Sequence, residues 1–379
     1  MKKQEILVIK DNYWKLDNLF VLSGIKRLFL VCGRSIKGMN IGRYFENLEK
    51  RTGIKVIRFI EFTPNPIYAS VVEGVKRFRE ADCDMIAVVG GGSAIDVAKC
   101  IKLYANMEST QNYLSQQIIP NGIKLLAVPT TAGTGSEATE FAVVYEGGEK
   151  QSISDESCIP SVVVMDPSTL ETLPDYHRKS SMMDAFCHAI ESFWSIHSTE
   201  ESRRYSLDAI RIIMEYKDQY LTNKEEGNQQ MMQGAYIAGK AINIARTTAG
   251  HAMCYKLTSL YGIAHGHAAA LCVVRLWPYM ITHLEKCIDP RGMTYLKKMF
   301  SDLAEAMGCA ENGMAVELFA DILEELGLMN RLPGGNEKIN ILKTSVNPIR
   351  LGNTPVLLEL EDMEYLYCQI VDTAQEEEE

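Results

Sequence analysis

Three short stretches beyond residue 180 of this sequence carry side chains suited to holding a metal ion. In Asp184-Ala185-Phe186-Cys187-His188 the four-residue spacing puts a carboxylate and an imidazole on one helical face, where both can meet one ion. Alone, such a pair is more often a surface contact or a helix-stabilising pair. The segments Gly250–Leu257 (GHAMCYKL) and Tyr261–Ala268 (YGIAHGHA) add His251, His265 and His267 among Ala, Met, Leu and Ile. An imidazole in apolar surroundings needs a partner for each ring nitrogen, and a metal supplies one. A lone core histidine is usually just hydrogen-bonded, but several beside an Asp–His pair point to a site of three histidines and one aspartate. Such donors suit Fe(II) or Zn(II) better than Mg(II) or Ca(II), which prefer oxygen alone.

The first half offers a different chemistry. Gly90-Gly91-Gly92-Ser93 follows the apolar run MIAVV and precedes the helical stretch AIDVAKCIKLY. A strand, a glycine turn and a helix start present backbone N–H groups and the positive helix end, which together suit a pyrophosphate. Glycine lets a ligand approach the backbone, and Ser93 is placed both to cap the helix and to reach a phosphate oxygen. The motif is not the G-x-G-x-x-G fingerprint of the ordinary Rossmann fold. A second turn, Val128–Glu137 (VPTTAGTGSE), also follows an apolar run and is dense in hydroxyls and small residues. A plain turn or a polar loop accounts for either one alone. Two of them at strand C-termini match where open parallel sheets bind ligands.

The elements that must position these residues follow from periodicity. Strands are expected at Arg27–Cys32, Lys55–Glu61, Met85–Val89, Lys124–Val128 and Ser161–Met165, with amphipathic stretches such as Ile67–Ala81 and Ala94–Tyr104 between them. This βαβα alternation predicts a parallel sheet covered by helices. From Ser180 the pattern turns helical, over Asp184–His197, Glu201–Tyr220, Asn228–Ala245, Gly250–Leu260, Pro290–Met307 and Met314–Leu326, with little strand signal. The turn-rich DPSTLETLPD precedes the change, so residues 1–178 are read as an α/β dinucleotide-binding domain and 179–379 as an all-helical metal-binding domain. The acidic tail Gln375–Glu379 reads as a solvated end.

Composition narrows the function further. The 379 residues exceed one ordinary core, and 46% apolar against 23% charged residues is a globular balance. A net charge of −10 argues against a general nucleic-acid binder, which needs clustered cationic surface. Ten dispersed cysteines, most in apolar stretches and without a C-x-x-C pair, read as buried thiols of a reducing compartment rather than a disulfide frame or zinc knuckle. No run reaches the ~18 apolar residues of a membrane span, and no secretory signal is evident, so a cytoplasmic location is expected.

Taken in order, GGGSAIDVAK, VPTTAGTGSEAT, DPSTLETLP, MDAFCHAIES, GHAMCYKL and HGHA resemble the iron-containing alcohol dehydrogenase family over roughly residues 5–370. The resemblance implies the dehydroquinate synthase-like fold of that family, an α/β dinucleotide-binding domain followed by an all-α domain. It places the metal ligands on Asp184, His188, His251 and His265. It puts Gly91, Gly92, Ser93, Thr130, Thr131 and Thr134 at the cofactor, and extends that set to Asn65, Asp96, Lys150 and Leu170. The implied reaction is reduction of an aldehyde to a primary alcohol, with Fe(II) or Zn(II) as Lewis acid on the carbonyl oxygen and hydride from NADPH or NADH. Tyr255 and His265 are the candidate catalytic side chains, and the proton path through Tyr255, a ribose hydroxyl or water stays open.

Three departures from the common family pattern carry information. Where many members have a second histidine one turn after the one matching His251, this chain has Tyr255. After RLFLVC, where NAD-preferring relatives carry an aspartate, it reads Gly33-Arg34-Ser35, which favours NADPH because Arg34 can pair with a 2′-phosphate. Finally, Ile242–Val273 and Ser345–Val356 resemble the subgroup that reduces phosphonoacetaldehyde to 2-hydroxyethylphosphonate. A dianionic phosphonate needs donors, and Arg246, Thr247, Thr248, Lys256 and Arg350 are the candidates. The alternatives are a general short-chain alcohol dehydrogenase of the propanediol, lactaldehyde or butanol type, a glycerol dehydrogenase or sugar-phosphate cyclase relative, and an inactive nucleotide- or metal-binding module. A small-molecule substrate and a homodimer are expected, with no nucleic-acid or membrane partner.

Overall fold

The computed structural model describes residues 4–9 and 12–372, so the acidic tail Gln375–Glu379 lies outside the described residues. Packing divides the chain into two compact units, Met1–Pro174 with Asp218–Tyr236, and Asp175–Lys217 with Ile237–Glu379. A single cut between 178 and 179 does not capture the return of Asp218–Tyr236 to the first unit. Periodicity marks that stretch as helical but carries no record of which core receives it. Within the first unit Tyr220 is fully buried, the Asn223 amide donates to the Glu171 carbonyl (3.0 Å), and the Tyr236 hydroxyl donates to Gln4 Oε1 (2.9 Å).

The first unit is built on a six-stranded sheet of β1 (Glu5–Val8), β2 (Arg27–Cys32), β3 (Lys55–Phe59), β4 (Met85–Gly90), β5 (Lys124–Pro129) and β8 (Val162–Met165). The spatial order is β1-β8-β5-β4-β2-β3, with every neighbouring pair parallel. Helices α1 (Trp14–Leu22), α2 (Asn40–Glu46) and α3 (Leu48–Thr52) contribute Leu16, Phe20, Ile41, Phe45 and Leu48 to the core on one face, where Leu28, Leu30, Met85, Ala87 and Val89 point. Helices α4 (Tyr68–Glu80) and α5 (Gly92–Tyr104) contribute Val71, Val75, Ile95 and Ile101 to the other, where Phe29, Val31, Ile86 and Val88 point. Side chains alternate between two covered faces, so the strands read as unbroken apolar runs.

Three strands escaped the sequence reading. The edge strand β1 is short and mostly exposed, which leaves little apolar pattern. The antiparallel hairpin β6 (Phe141–Glu146) and β7 (Glu149–Ser154) turns at Gly147 and Gly148, both with positive φ (59° and 83°). Its signal was present, since a Gly-Gly pair between two strand-like runs marks a two-residue hairpin turn.

After Pro174 the described chain is helical, with only the isolated bridges Cys287–Val356 and Leu332–Val371 pairing in strand fashion. The helices are α6 (Asp175–Trp194), α7 (Glu200–Leu221), α8 (Glu225–Ala245), α9 (Ala249–Tyr261), α10 (His265–Thr282), α11 (Met293–Ala306), α12 (Asn312–Glu325), α13 (Asn336–Thr344), α14 (Pro348–Leu351) and α15 (Leu360–Cys368). Helix α6 is almost wholly buried from Met182 to Trp194 and packs on α10, which packs in turn on α9. No described helix is long and apolar enough to cross a membrane. Among the described residues the ten cysteines form no disulfide, and six of them are buried.

Candidate functional site

Strand order fixes where a ligand can enter the first unit. From β2 the chain moves outward to β3, while from β4 it moves the opposite way to β5, so the order reverses between adjacent strands β2 and β4. Such a switch point opens a crevice at the carboxyl ends of the strands. Gly33, Arg34 and Ser35 follow β2, with Arg34 and Ser35 exposed in a short 3₁₀ turn, and the glycine run follows β4. Gly90 pairs with Pro129, and the Thr130 N–H donates to the Gly90 carbonyl (3.1 Å), so the second loop lies directly beside the first.

The glycines are required by this neighbour. A Cβ on Gly91 would come within 3.1 Å of Thr131 Cγ2, and one on Gly92 within 2.9 Å of Thr134 Cγ2. Close approach of the two loops thus excludes any larger residue. The N-cap of α5 is Gly91, in extended conformation, and no side chain caps it. Ser93 therefore does not cap the helix as its position in the sequence suggested. It lies one residue inside, and its hydroxyl accepts from the N–H of Asn65 (3.4 Å), a residue at φ 54°.

Beneath these loops is a buried polar network that the sequence reading did not anticipate. Lys99 is fully buried, and its ammonium donates to Ser136 Oγ (3.2 Å), Thr139 Oγ1 (3.2 Å) and the carbonyls of Thr139 (2.8 Å) and Phe141 (2.6 Å). Burial pulls Lys99 below its ordinary pKa, while the Asp96 charge opposes that. Asp96 accepts from Ser136 Oγ (2.7 Å) and the Val143 N–H (3.2 Å), tying α5 to the second loop and to β6. Lys150 on β7 adds positive charge near Asp96, and Thr130 and Leu170 are buried. Glu137 is buried as well. Burial pushes its carboxyl up to about 7 against the lowering effects of its own N–H and of Lys99.

In the second unit the helical spacing of Asp184 and His188 turns both inward, and α9 brings His251 to them. The His188 and His251 rings stack at 4.4 Å and 17°. His188 Nε2 and His251 Nε2 lie 4.0 and 3.5 Å from Asp184 Oδ1, and one donor atom from each of the three side chains falls within 4.8 Å of the others. All three are buried. Among the described residues, Asp184 Oδ1 and His251 Nε2 have no hydrogen-bond partner, a costly state for buried polar atoms that a cation would relieve. Two bonds of about 2.1 Å at a tetrahedral angle place donors about 3.4 Å apart, so these side chains fit one divalent ion.

His265, the first residue of α10, stands one ring further out. It meets His251 edge-on at 5.3 Å, its Nδ1 is 3.5 Å from Cys254 Sγ, and its nitrogens fall outside the three-residue cluster. Burial alone would raise Asp184, but the neighbouring imidazoles of His188, His251 and His265 hold it well below the usual carboxylate range. Burial lowers His251, yet Glu191 and Asp184 outweigh it and raise the ring to about 9.

Glu191 is the residue at this site that the sequence reading missed. It is fully buried on α6, one turn after His188, and its carboxylate receives His251 Nδ1. A carboxylate inside the apolar run AFCHAIESFW was the available signal. Tyr255 stacks on His265 (5.3 Å, 20°), and the Arg350 guanidinium lies 4.9 Å from the Tyr255 ring centroid and is hydrogen-bonded to its hydroxyl. Burial raises the Tyr255 pKa and Arg350 opposes this. The other anion candidates are not gathered in this way. Arg246, at φ 65°, and Lys256 are exposed, the carbonyl of the buried Thr247 accepts from Asn353 (2.9 Å), and Thr248 serves Glu191.

A parallel doubly wound unit with loops suited to a dinucleotide, and a helical unit with a buried Asp-His-His cluster, define a metal- and nucleotide-dependent class of protein. Residues 4–167 match the iron-containing alcohol dehydrogenase family, and residues 179–351 match the Fe-containing alcohol dehydrogenase family C-terminal region. The chain belongs to the iron-containing alcohol dehydrogenase family. Alcohol dehydrogenase 4 of Saccharomyces cerevisiae is 31% identical over 296 residues, 76% of this chain and 74% of that protein. Phosphonoacetaldehyde reductase of Streptomyces viridochromogenes is 31% identical over 253 residues, 63% of this chain and 64% of that protein, so the chain spans under two thirds of that relative's length. Among solved structures, the sulfoacetaldehyde reductase of Bifidobacterium kashiwanohense in complex with NAD+ superposes with a TM-score of 0.86 at 24% identity, covering 98% of each chain, and shares the fold.

Proposed function

We propose that this chain is a metal-dependent aldehyde reductase that uses NADPH in preference to NADH, and that its substrate carries an anionic, phosphonate-type head group. The reaction consumes an aldehyde, NADPH and a proton, and yields a primary alcohol and NADP+. When bound, a divalent metal supplies Lewis-acid polarisation of the carbonyl and the nicotinamide supplies hydride. Asp184, His188, His251 and His265 hold the metal in this reading.

The observation that carries the substrate assignment is the column Arg350, Tyr255, His265 beside the Asp-His-His cluster. Arg350 donates to the Tyr255 oxygen, and its guanidinium makes the tyrosine proton easier to lose. The remaining N–H groups of Arg350 suit a phosphonate, which prefers forked cationic donors. The similarity to a phosphonoacetaldehyde reductase supports the same substrate. Arg34, exposed after β2, supports NADPH.

The test is NADPH oxidation by anaerobically iron-loaded protein with phosphonoacetaldehyde, glycolaldehyde, propanal and lactaldehyde. Phosphonoacetaldehyde should give the highest kcat/KM. Equal values across the panel would remove the phosphonate assignment and leave a general short-chain dehydrogenase, as relatives named for butanol and 1,3-propanediol suggest.

A further inference from the structure

The carboxylate of Glu191 sits at the amino end of α9 although the residue belongs to α6, and it bonds to Thr248 and His251 there. Its Oε1 accepts from the Thr248 N–H (3.1 Å), the Thr248 hydroxyl (2.6 Å) and the His251 N–H (3.2 Å). The Thr248 hydroxyl is itself fixed, because it accepts from Trp194 Nε1 (2.9 Å). Oε2 is left for the imidazole and meets His251 Nδ1. The fit is tight, since a Cβ on Gly250 would come within 3.0 Å of the Glu191 carboxyl carbon.

We infer that Glu191 is a positioning residue that sets the tautomer of His251 and so keeps its Nε2 available as a metal donor. The inference rests on the reading of Asp184, His188 and His251 as metal ligands. An ionised carboxylate only accepts, so the ring nitrogen facing Oε2 must carry the proton. The other nitrogen then presents its lone pair, and that is Nε2, the unpartnered atom 3.5 Å from Asp184 Oδ1. A carboxylate on the far nitrogen of a metal-binding histidine fixes its orientation and raises its basicity.

The substitution Glu191→Gln separates this role from a structural one. The amide oxygen can keep the three donors now on Oε1, which places the NH2 group against His251 Nδ1. That nitrogen must then accept, the ring proton moves to Nε2, and Nε2–H donates to Asp184 instead of binding a cation. Co(II) titration of the metal-free full-length protein, followed by its visible absorption, should show E191Q binding about 10- to 100-fold more weakly than wild type. The metal-free E191Q protein should unfold at the wild-type temperature or above, whereas a merely structural role would lower both together.

Affinity within about twofold of wild type, or an equal loss of metal-free stability, would overturn the inference. A second measurement does not depend on the variant folding. In Zn(II)-loaded wild type with 15N-labelled histidine, His251 should carry its proton on Nδ1, and finding it on Nε2 would overturn the inference. Wild type that takes up neither Co(II) nor Zn(II) would instead overturn the metal reading, and this inference with it.

Discussion

Gly266 lies against Asp184: a Cβ placed on the glycine would come within 2.6 Å of Asp184 Cβ and would collide with the Ser180 carbonyl oxygen. The absence of a side chain next to His265 therefore lets α10 approach α6 at the level of Asp184. Gly266→Ala should cost about 1–3 kcal/mol, because the atom it meets is backbone and cannot swing away. It should also weaken metal binding. Thermal unfolding of the metal-free protein and metal content after dialysis check the two effects separately.

Alanine at His265 should abolish turnover and metal retention together. His265 borders the cluster of Asp184, His188 and His251 without joining it, so the test asks whether it completes the proposed site. Metal analysis after dialysis, alongside NADPH oxidation, gives the answer, and an active, metal-free H265A protein would refute the assignment. Chelation of the wild type should likewise remove activity, and Fe(II) should restore it.

Arg350→Ala should raise KM for phosphonoacetaldehyde by about 10- to 100-fold, the value of a lost charge-assisted bond. For propanal, which offers no anion, KM should change by about threefold or less. Steady-state kinetics on both aldehydes distinguish an anion anchor from a group that only braces Tyr255, since the latter would affect the two equally.

Arg34→Ala should raise KM for NADPH by about tenfold while leaving NADH nearly unchanged. The two cofactors differ only by the 2′-phosphate, so a parallel change would place the effect on folding or on shared contacts.

Glu137 gives a pH dependence of known sign. Its carboxyl titrates near 7 in the fold against 4.5 in the open chain, chiefly through burial. The protonated form is favoured by folding, so its contribution is fully present below about pH 4.5 and is lost as pH rises to about 7. The loss is on the order of 3 kcal/mol. Glu137→Gln should thus stabilise the protein at pH 8 and do little at pH 5, read from unfolding midpoints at the two values. An equal shift at both would show that Glu137 is ionised in the fold throughout.

Much of the fold was legible because strands and helices advertise burial locally. The runs RLFLVC, MIAVV and KLLAV are apolar at every position because both faces of the sheet are covered, and all three became neighbouring parallel strands. The glycine run was legible as a loop, but not the reason for it, since the threonines that exclude a side chain at Gly91 and Gly92 arrive from 40 residues further on. Ser93 was misplaced as a cap for a related reason: the helix begins one residue before it, where the backbone of Gly91 already serves.

The sequence by itself determined the parallel sheet, the loops at its carboxyl edge, the helical second half and the Asp184–His188 pair. Each depends on spacings of two to four residues, within which backbone geometry fixes direction. Only the tertiary structure decided that Asp218–Tyr236 returns to the first unit, that Glu191 is spent on His251, and that Arg350 lies on Tyr255. Those contacts join residues from 60 to more than 200 positions apart, as Glu191 and His251 or Gln4 and Tyr236 show. Their existence depends on how whole helices pack, which no local periodicity records.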